Sequence, residues 1–217
     1  MSIVTPDGGL TALGYGLCIL AAVLLFFVAG VISQNSRRKL STKQLVFCGT
    51  AMALSFITSY IKLFHMPYGG SVTLFSMLFI CLVGYWYGVR VGILTGLAYG
   101  ILQFLQEPFV LSFFQVCCDY VLAFAGLGLA GVFARSKNGL VKGYILGILV
   151  RGAFHSLGGY LYWMDYMPEE FPQALTALYP IIYNYSYILA EAALTVVVMM
   201  LPPVKKGLEQ IQNMATS

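Results

Sequence analysis

Runs of roughly 17 to 24 apolar residues follow one another along this chain, separated by only short polar breaks. A helix of that length spans the ~30 Å hydrocarbon core of a bilayer. Lipid offers no partners for open backbone groups, so helices and closed barrels are the only spanning structures. A barrel requires short alternating strands, and these continuous runs do not alternate. With 59% hydrophobic and 9% charged residues, the expected fold is an all-α polytopic membrane helical bundle. The seven expected spans are 10–33, 43–62, 72–89, 91–106, 111–133, 140–163 and 180–201. Residues 1–42 read as an extra N-terminal transmembrane helix with a basic linker, 43–203 as a six-helix membrane domain, and 204–217 as a cytoplasmic tail.

Basic residues set the orientation. Arg37, Arg38, Lys39, Lys43, Arg90, Arg135, Lys137, Lys142, Lys205 and Lys206 fall on one face of a seven-span chain. Asp7, Glu107, Asp165, Glu169 and Glu170 fall on the other, with Lys62 as its only base. The positive-inside rule puts the basic face in the cytoplasm and the N-terminus and the loops 63–71, 107–110 and 164–179 outside. The first span is read as a retained anchor: Asp7 precedes it and the basic cluster follows it, the reverse of a signal peptide. Net charge +4 suits anionic lipid and does not imply nucleic-acid binding.

Ionisable groups inside spans are expensive and mark functional sites. Asp119 lies one turn from Gln115 in span five and serves either a cationic ligand or an ion pair with Arg151 or Lys62. Span six reads RGAFHSLGGYLYWMDY. Arg151 and His155 share one face, Gly158 and Gly159 open space beside them, and Tyr160, Tyr162, Trp163 and Tyr166 gather at the outer boundary. Such aromatics form interfacial belts, and their faces also attract cations. In span seven Asn184, Tyr187 and Glu191 form a stripe after Pro180. A carboxamide donates and accepts together and suits a heteroaromatic edge, whereas Glu191 is expected to pair with Arg151. The residues alone describe an outward-facing aromatic pocket for a small, planar, cationic molecule.

Gly92, Gly96 and Gly100 repeat along one helix face, as do Gly49 and Ala53. Small-residue faces let helices approach closely, either within the bundle or, for Gly49 and Ala53, against a partner membrane protein. Cys18, Cys48, Cys81, Cys117 and Cys118 lie within spans without a CxxC pair, so they read as buried small hydrophobes, with no metal site expected. No GxxxxGK(S/T) loop is present, so the chain has no recognisable means of hydrolysing ATP.

The stretches MPYGGSVTL at 66–74, QVCCDYVLAF at 115–124, GLGLAGVF at 126–133, RGAFHSLGGYLYW at 151–163 and LYPIIYNYSYIL at 178–189 resemble the thiamine-specific substrate-binding subunits (S components) of energy-coupling factor (ECF) vitamin transporters. The likeness runs from about 43 to 203, in order, and leaves out span 10–33. It implies a six-helix S-component-like core that captures thiamine outside the cell and passes it inward with an ECF transmembrane coupling subunit and two ATPase subunits. It implies a pocket of Asp119, Tyr120, His155, Trp163, Tyr179 and Asn184, a lid around Tyr68 and the following 69–71 loop, and docking through Gly49 and Ala53. The family carries Glu where this chain has the shorter Asp119. No cofactor is implied.

Three other readings remain. A sister S component would share the fold with a different pocket, although Asp119 with Trp163 favours a cationic aromatic ligand over a flavin or biotin. A secondary transporter would show repeats and broken helices, and no internal repeat is visible. An intramembrane enzyme lacks support, since HExxH and GxSxG are absent and Asp119 has no partner motif.

Overall fold

The computed structural model describes residues 11–13, 16, 20 and 40–217. The expected span 10–33, with Cys18 and the basic cluster 37–39, lies almost wholly outside the described residues. Six helices follow in the expected order: α1 (Thr42–Ser59), α2 (Ser76–Tyr87), α3 (Val89–Gln106), α4 (Phe113–Phe133), α5 (Gly139–Tyr162) and α6 (Tyr179–Met200). Four of them, α3 to α6, are long and apolar enough to cross a membrane. The protein is a multi-pass helical membrane protein. Helix α2 is a shorter apolar rod, and α1 opens on Thr-Lys-Gln.

The start of α1 is fixed by a capping box: Gln44 N donates to Ser41 Oγ at 3.2 Å while Ser41 N donates to Gln44 Oε1 at 3.0 Å. Two expectations change in detail. The first outer loop is partly regular, since β1 (Lys62–His65) pairs antiparallel with β2 (Ser71–Thr73), which delays α2 to residue 76. The expected tail is a helix, α7 (Pro202–Thr216). It turns back under the bundle, where Tyr87 Oη donates to the Ala215 carbonyl at 3.1 Å and Lys43 Nζ to Ser217 Oγ at 2.9 Å.

Polarity is distributed as lipid demands. Leu45, Val46, Ile57, Leu149, Leu189 and Val197 are exposed on the periphery, while Ser55, Thr95, Gln115, Asn184, Glu191 and Thr195 are buried. The core runs through α2, with Ile80 and Cys81 fully buried against Leu127, Tyr144 and Ile148. The glycines of α3 pack internally: a Cβ on Gly92, Gly96 or Gly100 would press into backbone of Gly128, Phe124 or Tyr120 respectively. Glycines one turn apart thus meet α4 carbonyls one turn apart, running the opposite way. Gly49 differs, with nothing among the described residues within 4 Å of its missing Cβ.

This alternation puts the β1–β2 hairpin and the loops 107–112 and 163–178 at one end of the bundle. Arg90, Arg135, Lys137, Lys142 and α7 lie at the other.

Candidate functional site

A cavity of about 680 Å³ opens at the hairpin end, within the size range of small-molecule sites. Its walls come from α3, α4, α5, α6 and the hairpin. Below it the fully buried Ile80, Cys81, Leu127 and Ile148 close the bundle. The cavity is a cup that opens at the hairpin end.

One wall is built by an irregular stretch of α4. Residues Cys117–Leu122 wind as a π-helix, and Ala123 N reaches back five residues to the Cys118 carbonyl. Such widened turns concentrate at functional sites because they re-aim side chains. Here the widened turn contains Asp119 and Tyr120. Gln115 Nε2 donates to Asp119 Oδ2 at 2.7 Å, and His155 Nδ1 lies 3.2 Å from Asp119 Oδ1. Neither Arg151 nor Lys62 comes within ion-pair distance of Asp119; Lys62 pairs instead with Glu107 at the mouth. Gly158 makes the crossing possible, since a Cβ there would stand 2.8 Å from Asp119 Oδ1.

His155 thus gives one nitrogen to Asp119, while its buried Nε2 has no protein partner. Arg151, one turn deeper, places its guanidinium carbon 4.2 Å from the centre of the Phe124 ring. Its Nε and Nη1 are likewise buried without a hydrogen-bond partner. The expected Arg151–Glu191 ion pair is not formed. Glu191 accepts instead from Thr73 N at 2.8 Å, Thr73 Oγ1 at 2.6 Å, and Ser76 Oγ and Met77 N at 3.4 Å each. The carboxylate finds enough donors in the turn from β2 into α2 that it needs no cation. It grips that turn on both sides of Phe75, a bulky residue at φ 63°, a left-handed conformation that costs about 1–3 kcal/mol and persists only where neighbours enforce it.

The remaining expected residues also line the cup, in unequal states of commitment. Trp163 stacks on Phe109, with centroids 4.6 Å apart and planes at 29°. Tyr179 packs edge-on against Phe171 and tilted against Tyr183. Asn184 Nδ2 donates to the Pro180 carbonyl at 2.8 Å, and its Oδ1 accepts from Tyr187 Oη at 3.0 Å, leaving one lone pair for another donor. Tyr120 Oη donates to the Glu107 carbonyl at 2.7 Å and accepts from Phe109 N at 3.2 Å, so it fastens the loop beneath Trp163. Tyr68 belongs to the turn Pro67–Gly69 at the hairpin tip; its side chain lies outside the described part. Gly49 and Ala53 stand on the exposed side of α1, away from the cup.

Several residues carry the site without having stood out in the sequence. Tyr183 Oη donates to the Pro67 carbonyl and accepts from Gly70 N at 3.3 Å, fastening the hairpin tip to α6. Phe109 completes the aromatic wall, and Ser59, Gln103 and Gln106 also line the cup. The two glutamines, three apart at the end of an otherwise apolar helix, were the available signal.

A family model described as thiamine transporter protein matches residues 45–210. The thiamine transporter ThiT of Bacillus subtilis (strain 168) is 30% identical over 155 residues, which cover 63% of this chain and 76% of that relative. The fold is similar to that of a ThiT structure from Listeria monocytogenes, with a TM-score of 0.58 and 20% identity over 74% of this chain and 94% of that one.

Proposed function

Because the chain belongs to the thiamine transporter protein family, we propose that its cup is a thiamine site and the chain an S component. On this reading it captures the vitamin outside and releases it inside with a separate ATP-driven ECF module. The observation that carries the reading is Asp119: a carboxylate at membrane depth, held by Gln115 and His155, with no Arg or Lys against it among the described residues. An unpaired charge there is costly, and the permanent positive charge of a thiazolium ring compensates it in low dielectric.

Trp163, backed by Phe109, and Tyr179 supply ring faces for stacking and cation attraction. With Nδ1–H directed at Asp119, the neutral ring of His155 presents Nε2 as an acceptor for the exocyclic amine of the aminopyrimidine. Asn184 supports the same ring through its open lone pair. Tyr120 acts by holding the Phe109 loop, and the hairpin bearing Tyr68 closes over the mouth.

The basic end is cytoplasmic by the positive-inside rule, which turns the mouth outward. Gly49 and Ala53, exposed on α1 with space above the glycine, dock the transmembrane coupling subunit, since small residues permit close helix approach.

Tryptophan fluorescence tests the ligand, because Trp163 lines the cup while Trp86 packs on Phe47 at the opposite end of α2. Thiamine is expected to quench the purified protein saturably, and riboflavin and biotin are not. Asp119→Ala is expected to weaken thiamine binding at least about 30-fold by calorimetry, the scale of a lost buried charge partner. Unchanged affinity in that variant, or a response to riboflavin or biotin instead of thiamine, overturns the reading.

A further inference from the structure

On the wall of the cup, three polar side chains form a closed network with two loose ends. Ser59 Oγ donates to Gln106 Oε1 at 3.0 Å, and Gln103 Nε2 reaches Ser59 Oγ at 3.2 Å and Gln106 Oε1 at 2.9 Å. Exchanging O and N in both amides together satisfies the same three contacts, so in either orientation one glutamine keeps a free carbonyl oxygen and the other a free NH₂. Gln103 Oε1 and Gln106 Nε2 are left over, and neither has a hydrogen-bond partner among the described residues. All three residues line the cavity. An uncommitted carbonyl and an uncommitted NH₂ on the cavity wall are accessible to a ligand that can pair with both.

We infer that the Ser59–Gln103–Gln106 cluster is a subsite for a neutral hydroxyl on the ligand's tail, which rests on the reading of the cup as a thiamine site. A hydroxyl donates and accepts at once, so it matches one free acceptor and one free donor. Thiamine carries such a group on its hydroxyethyl arm. A phosphate is the wrong partner: it only accepts at its ionised oxygens, so the cluster's free carbonyl would oppose it. Glu107, at the same end of α3, adds a like charge, and its neighbour Lys62 is already paired with it. The cluster therefore selects the free alcohol over its phosphorylated forms.

The test compares thiamine, its deoxy analogue with a methyl group in place of the alcohol, and thiamine monophosphate. Each is titrated by calorimetry against the full-length protein and the Gln103→Leu and Gln106→Leu variants. Wild type is expected to bind the deoxy analogue about tenfold more weakly than thiamine, the scale of a lost hydrogen-bonded pair, and the monophosphate more weakly too. Each variant is expected to lose about tenfold for thiamine while binding the deoxy analogue as wild type does. Equal binding of thiamine and the deoxy analogue by wild type overturns the subsite and leaves the ligand assignment standing, as does a variant loss of the same size for both ligands. Tighter binding of the monophosphate replaces the hydroxyl with an anion. Binding of none of the three by wild type overturns the thiamine reading itself.

Discussion

Asp119 sits where three constraints meet: Gln115 one turn nearer the mouth, His155 across from it, and the bare backbone of Gly158 against its oxygen. Gly158→Ala places a methyl 2.8 Å from Oδ1, closer than carbon and oxygen can stand. Since the carboxylate is the movable party, the expected result is a thiamine affinity at least about tenfold lower with the fold retained. Calorimetry on protein that still elutes as a monodisperse peak checks it, the tenfold corresponding to ~1.4 kcal/mol. Asp119, His155 and Asn184 were legible as site candidates because polar groups are conspicuous in apolar runs. Their partners were legible only where local spacing decides them. Gln115 is one helical turn away and visible as a neighbour of Asp119, whereas the Glu191 to Thr73 contact spans 118 positions. No periodicity announces such a contact, and charge alone pointed wrongly to Arg151.

At the scale of elements, the hairpin is the least self-sufficient part of the fold. Two short strands are marginal in isolation, and this pair is held by α6 at its tip through Tyr183 and at its base through Glu191. Tyr183→Phe removes both tip bonds and leaves the ring. Thiamine is expected to dissociate about three- to tenfold faster with little change in association, as loss of ~0.5–1.5 kcal/mol would give, and stopped-flow displacement reads this. Helix α3 is the opposite case, tied to α4 along its whole length by glycines facing carbonyls. Gly96→Ala is expected to destabilise the protein by about 1–3 kcal/mol, the usual consequence of overpacking, seen as a lower midpoint in a thermal scan. Gly49→Ala, with open space around it, is expected to leave both that midpoint and thiamine binding unchanged. The six helices were readable from apolar run length, but the hairpin was not, since its strands are four and three residues long and carry no alternating pattern. Helix α7 was missed because its residues are polar on one side and follow Pro202-Pro203, which reads as an ending.

At the scale of the whole molecule, the charges lining the cup decide which cargo it suits. Lys62 and Arg151 face Glu107, Asp119 and Glu191, so with all five ionised the described lining carries one excess negative charge. A monocation makes the filled cup neutral. Deazathiamine, whose thiophene keeps the shape and loses the charge, is expected to bind at least about tenfold more weakly than thiamine in a calorimetric competition. The closed floor beneath that cup has a kinetic corollary. Cargo that enters past the hairpin meets the packed Ile80, Cys81, Leu127 and Ile148 below, so the contacts that slow its escape past the hairpin also slow delivery. A site of about nanomolar affinity, filled at about 10⁶ M⁻¹s⁻¹, empties on its own in roughly a quarter of an hour. Retention and throughput therefore pull against each other in a vessel with a closed floor, and faster turnover demands outside work on the vessel rather than on the cargo.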